Sequence, residues 1–194
     1  HPVSREVLKP TPLAAPPLNI PAGTDPRETL AEWLLTPENP FLARAMANRV
    51  WGQFLGRGIV HPVDDFRATN PPVNPELLDA LAADFAGHDF DLRHLMRRIM
   101  NSRLYQLSSL PNKTNVQDTS SFSRFYRRRI SAENLHDILV QVSGVESGFN
   151  NLRWDARSVE LWTTRMDSAL LESFGLPNSS ENCPVERDDR PSMV

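Results

Sequence analysis

The stretch NPFLARAMANRVWGQFLGRGIVHPVDDF, Asn39 to Phe66, followed by Asn74-Pro-Glu-Leu-Leu-Asp79, decides the fold. At about 100° per residue, Ala43, Met46, Ala47, Val50 and Phe54 gather on one side of a helix. Phe41, Trp51 and Leu55 gather on another, so the helix is apolar nearly all round and belongs inside a helical protein. Arg44 and Asn48 project among these residues. An arginine buried without a partner costs several kcal/mol, so a carboxylate or several carbonyl groups must meet it. The nearest acids by sequence are Asp64 and Asp65, with Glu133 and Asp137 next. One reading is an anion-binding or acid/base pocket around Arg44. The other is a buried ion pair fixing the helix to the following loop, favoured because such pairs commonly set geometry without doing chemistry.

Capping residues give the neighbouring helices. Asn39 caps the central helix with Pro40 first inside it, and Gly56 and Gly58 stop it. Upstream, Asp25 caps a helix with Pro26 at its first position and Leu30, Trp33 and Leu34 on its apolar face. Downstream lies a loop from Arg57 to Val73, functional or packed by its own side chains. Asn74-Pro75 opens a helix with Leu77, Leu78, Leu81 and Phe85 on one face. Another runs from about Asp91 with Leu92, Leu95, Met96, Ile99 and Met100 apolar. Phe122 to Arg129 is expected to be helical, Ser131 to recap a helix to about Ser143, and Ser168 to Phe174 to form a short helix. Alternating strand patterns are few. The expected class is all-α, a compact multi-helix orthogonal bundle.

Seven of the seventeen prolines fall between Pro2 and Pro26, so residues 1–23 read as an extended proline-rich arm or linker, either disordered or lying along the domain through Leu13, Leu18 and Ile20. Residues 24–194 are expected to form a single helical domain, looser after about 145. A chain of 194 residues can bury roughly 70% of its unfolded surface. A net charge of -3 argues against a general nucleic-acid binder. The acidic stretch Asp64 to Asp89 and the basic stretch Arg93 to Arg129 are read as complementing each other within the molecule. No apolar run reaches the ~20 residues of a membrane span. Phosphate-loop, dinucleotide, serine-elbow and HExxH sequences are absent, no histidine pair has zinc-ligand spacing, and no metal is expected. Cys183, the single cysteine, excludes an internal disulfide. The start at His1 suggests a fragment or processed product.

A second constellation is Arg127-Arg-Arg-Ile-Ser-Ala-Glu-Asn-Leu-His-Asp137. Leu135, Ile138, Leu139 and Val142 form its apolar stripe, with Glu133 and Asp137 one turn apart on the opposite face. Two carboxylates beside His136 suit a divalent metal or acid/base work. Carboxylates opposite the core are more often a solvated face, here paired with Arg129 and its neighbours. The candidate polar cluster is therefore Arg44, Asn48, Asp64, Asp65, Arg129, Glu133 and Asp137.

These motifs resemble the planctomycete-type domain of unknown function 1553, the PSD1 domain. The matching pieces include Leu30-Ala-Glu-Trp33, Asn39-Pro-Phe-Leu-Ala-Arg44, Asn48-Arg-Val-Trp51, Phe54-Leu-Gly-Arg-Gly58 and Asp64-Asp-Phe66. They continue through Pro75-Glu-Leu-Leu-Asp79, Arg97-Arg-Ile-Met-Asn-Ser102, Tyr105, Arg128-Arg-Ile-Ser-Ala-Glu133 with Asp137, Leu170-Leu-Glu-Ser-Phe-Gly175 and Cys183-Pro-Val-Glu-Arg187. The resemblance implies a C-terminal part of a large exported bacterial protein, often preceded by a cytochrome-c-like region and a companion domain. That in turn implies an extracytoplasmic setting, haem c only in a separate domain, and a link to polysaccharide or sulfated-glycan metabolism. It carries over no catalytic residue. Two departures stand out: Arg67-Ala-Thr-Asn-Pro-Pro72 replaces a glycine-rich stretch, and Val185 replaces a second cysteine, which argues against a thiol-pair or metal role for Cys183. Relatives continue where this chain stops at Val194, so a truncated C-terminus is expected.

The expected function is an accessory or binding module whose partners are other domains of the parent protein and a polysaccharide. The rival is a hydrolase or glycan-acting enzyme using Arg44, Asp64, Asp65, Glu133 and Asp137. Catalysis is left open. Mutually satisfied charges favour the module; carboxylates converging on an open pocket favour the enzyme.

Overall fold

The structure, a computed structural model, describes residues 5, 8–21, 23–36, 39–145, 148–149, 152–161 and 168–176. Among them are six α-helices and one 3-10 turn, and no strand. The helices are α1 (Pro26–Leu34), α2 (Leu42–Leu55), α3 (Pro75–Gly87), α4 (Leu92–Met100), α5 (Ala132–Ser143) and α6 (Ala169–Ser173), with the 3-10 turn at Ser158–Glu160. The protein is all-α. Cys183, Val185 and the tail to Arg187 lie outside the described residues. Contacts cluster into two compact units, His1–Arg127 and Arg128–Val194.

In the first unit, α2 is the element against which α3 and α4 pack. Its buried residues Ala43, Ala47, Val50, Trp51 and Leu55 meet Ile59, Val60, Leu78, Ala82, Phe85, Leu95, Ile99 and Phe122 in one core. Rings interlock by edges: Trp51 on Phe122 at 5.5 Å, Phe54 on Tyr105 at 6.1 Å, and Tyr105 on Phe125 at 5.6 Å. Local chemistry fixes the helix starts. The Asp25, Asn74 and Asp91 side chains accept from the N–H groups of Arg27, Leu77 and Arg93, as capping requires. Asn39 joins two helices. Its Oδ1 accepts from the N–H of Phe41 and Leu42 at the start of α2, and its Nδ2 donates to the Trp33 carbonyl in α1. Ahead of α1, the described residues of the arm form no helix or strand, with a turn around Leu13–Ala14.

Two expectations fail. Phe122 to Arg129 is not helical. Asp118 accepts from the N–H groups of Ser120, Ser121 and Ser123 and from the Ser123 and Tyr126 hydroxyls, while the Tyr126 oxygen accepts from Phe122 N–H. Backbone donors bound to side chains are no longer available for a helical ladder. On α5, the anticipated apolar stripe faces outward: Ile138 and Leu139 are exposed and Val142 is 82% exposed, while Ala132 and His136 are buried. The face carrying His136 and Asp137 is the one that meets the 3-10 turn, and two polar contacts described below hold it there.

Candidate functional site

In the first unit the sequence-derived residues do not converge. Arg44 pairs with Asp79, Nε to Oδ1 at 2.9 Å, with the arginine side chain 37% exposed; its partner is the α3 acid, not Asp64 or Asp65. Asp64 pairs with Arg49 at 2.6 Å, and Asp65 with Arg67 at 2.6 Å. The hydrogen bonds of the Arg67 guanidinium hold the Asp65 carboxyl below its usual range. Asn48 is 0% exposed and acts as a clamp. Its Oδ1 accepts from Val60 N–H at 2.9 Å, and its Nδ2 donates to the carbonyls of Val60 at 2.9 Å and Val63 at 2.8 Å. Gly58 makes that approach possible, since a Cβ there would collide with the Val60 carbonyl and crowd the Asn48 amide. The 57–73 loop closes on itself through Val73 N–H to Ile59 carbonyl and Asn70 Nδ2 to the Asp65 carbonyl. It is packed by its own groups.

The second unit offers a cleft. Ser131 caps α5 by accepting from Asn134 N–H, and Gly144 ends it in the left-handed region at φ 68°. This registers His136 and Asp137 over Ser158. The Ser158 hydroxyl and His136 Nδ1 are 2.5 Å apart, Asp137 Oδ1 accepts from Ser158 N–H at 2.7 Å, and Asp137 Oδ2 accepts from Arg157 Nε at 3.3 Å. Burial pushes the Asp137 carboxyl up, but the Ser158 N–H and hydroxyl, the Val159 N–H and the Arg157 guanidinium outweigh it, and the group sits below its ordinary value. A cavity of about 490 Å³ opens over this floor, lined by Val140 and Gln141 from α5 and by Trp154, Asp155, Ala156 and Arg157. Trp154 stands 71% exposed beside it. Arg129 is exposed and Glu133 half-buried, each engaged by a neighbour.

Serine, histidine and aspartate in contact invite comparison with a hydrolytic triad, and the geometry rejects it. In a triad the serine and the acid address opposite imidazole nitrogens. Here the Ser158 oxygen and Asp137 Oδ1, the latter at 3.6 Å, both approach Nδ1. Ser158 is 1% exposed and presents no nucleophile to a substrate. Asp137 and Glu133 do not belong to a group of three metal-ligating side chains among the described residues. Sequence reasoning missed Trp154, Asp155 and Arg157, which lie where periodicity fades; the available signal was a tryptophan set between charged residues, Arg153 and Asp155.

Among the described residues the chain is all-helical, Arg44, Asp64 and Asp65 are each paired with a different partner, and a cleft in the second unit carries an exposed indole. The chain belongs to the PSD1 family, described as Protein of unknown function (DUF1553), which matches residues 26–192. No curated protein and no solved structure matches it. No helix among the described residues is long and apolar enough to cross a membrane.

Proposed function

We propose that this chain is a carbohydrate-binding accessory module of a larger exported bacterial protein, acting outside the cytoplasm beside other domains of that protein, one of which carries haem c. The observation that carries the binding role is the Trp154 indole in the lining of a cleft that also includes Gln141, Asp155 and Arg157. A pyranose has an apolar C–H face, which stacks on an aromatic ring, and hydroxyls, which need donors and acceptors around the rim. Gln141 supplies both, Asp155 accepts and Arg157 donates. Individually paired charges at Arg44, Asp64, Asp65 and Asp137 support binding over the rival hydrolase reading.

The test is a glycan-array screen followed by calorimetry on the best oligosaccharide, neutral and sulfated forms side by side. Trp154→Ala is expected to abolish binding while leaving the melting temperature unchanged, because the ring is largely outside the core. Binding that survives Trp154→Ala, or turnover of a bound glycan by the isolated chain, refutes the proposal.

A further inference from the structure

The α3–α4 corner brings together three side chains that the sequence keeps apart. Asp84 sits on the last turns of α3, His88 just beyond its end and His94 on the first turn of α4. His94 Nε2 is 2.8 Å from Asp84 Oδ2, and His88 Nδ1 is 3.6 Å from Asp84 Oδ1. One donor atom from each residue lies within 4.8 Å of the other two. The imidazoles stack at 3.7 Å and 14°. Between the helices, Asp89 and Phe90 both hold positive φ, 52° and 56°, a conformation that costs on the order of 1 kcal/mol or more for each non-glycine residue. This tight corner is what folds His94 back onto His88.

We infer that Asp84, His88 and His94 form a binding site for a borderline first-row divalent cation, of which zinc is the representative. Two imidazoles and one carboxylate are the donor set that such ions favour, whereas magnesium and calcium prefer all-oxygen sites. Tetrahedral coordination at ~2.1 Å needs donor atoms roughly 3.4 Å apart, so the three atoms must close by less than the length of one bond. Binding also requires the rings to leave the stack, because each must point a lone pair at a shared centre. His88, half exposed, has room to turn, giving up its contact with the Asp84 carbonyl. With His88 half exposed, water can reach the site to complete the coordination. One group opposes the ion: Arg98 Nε lies 3.5 Å from Asp84 Oδ2 and competes for the same carboxylate.

That competitor gives a test with opposite signs. The untagged chain is titrated with zinc sulfate and, separately, magnesium chloride by calorimetry, and the histidine ring resonances are followed by NMR. One zinc per chain is expected, shifting the His88 and His94 rings but not those of His61 or His136, with no response to magnesium. His88→Gln should weaken binding by at least about tenfold, as loss of a direct ligand demands. Arg98→Met, an exposed change, should tighten it. A purely structural ion cluster predicts no zinc binding in the native chain and no tightening in Arg98→Met. Zinc uptake that shifts other histidines, or is unchanged in His88→Gln, also overturns the site. Far-UV circular dichroism of each variant confirms that lost binding reflects a lost ligand rather than a lost fold.

Discussion

Removing the Asn48 amide should destabilise the protein more than any change to its charged surface. Asn48→Ala leaves the Val60 N–H, the Val60 carbonyl and the Val63 carbonyl without their partner. An unpaired buried polar group costs about 1–3 kcal/mol. The two Val60 groups are enclosed and cost about 1–2 kcal/mol each, while the Val63 contact is only partly buried and costs about 1 kcal/mol. The expected loss is about 3–5 kcal/mol, a large share of the ~5–15 kcal/mol stability of an ordinary domain. At ~2–4 °C per kcal/mol this lowers the melting temperature by on the order of 10 °C. Urea unfolding followed by circular dichroism gives the free energy, and hydrogen exchange at the Val60 amide locates the damage. Asn48→Asp sharpens the test. It keeps the acceptor for Val60 N–H but sets a carboxylate against two carbonyl oxygens, which raises its folded-state pKa. The variant should therefore gain stability as pH falls and the group protonates. A loss below about 1 kcal/mol in Asn48→Ala, with normal protection at Val60, refutes the clamp.

Gly58→Ala should cost at least as much as overpacking elsewhere in a core, about 1–3 kcal/mol, because its Cβ meets the rigid Val60 carbonyl rather than a side-chain end; chemical denaturation measures it. Asp118 is held far below the ordinary carboxylate value, first by the Ser123 hydroxyl and then by backbone N–H groups of Ser121, Ser123 and Ser120, against a smaller opposing effect of burial. A depressed folded pKa contributes stability that is present above the unfolded value of 3.8 and lost as pH falls toward the folded value. Asp118→Asn should therefore flatten the acid limb of stability below about pH 4, and an acid limb unchanged from the native chain counts against the cage. Val142→Glu, on the outward face of α5, should change the melting free energy by less than about 0.5 kcal/mol, whereas a cost of several kcal/mol would restore the apolar stripe as a buried face.

How far the sequence foretold these features follows from the range of the interactions involved. Caps act over two or three residues, so Asp25, Asn74 and Ser131 announced their helices correctly. Asn48 was legible as an inward polar group because its helix is apolar all round, but its partners lie 12 and 15 residues away in a loop without periodicity. Arg44 was matched to acids near in sequence; the α2–α3 packing chose Asp79. The α5 error has a different origin. A count of apolar positions puts Leu135, Ile138, Leu139 and Val142 inside, and it gives no weight to polar contacts. Here the contacts of His136 and Asp137 with Ser158 oppose that count, and they are made 21 and 22 residues along the chain. The histidines show the same limit. Sequence spacing brings side chains together only within one helix or one turn, and His88 and His94 straddle a helix break. Only the paired positive-φ residues at Asp89 and Phe90, invisible in composition, turn a spacing of six into an adjacency of 3.7 Å.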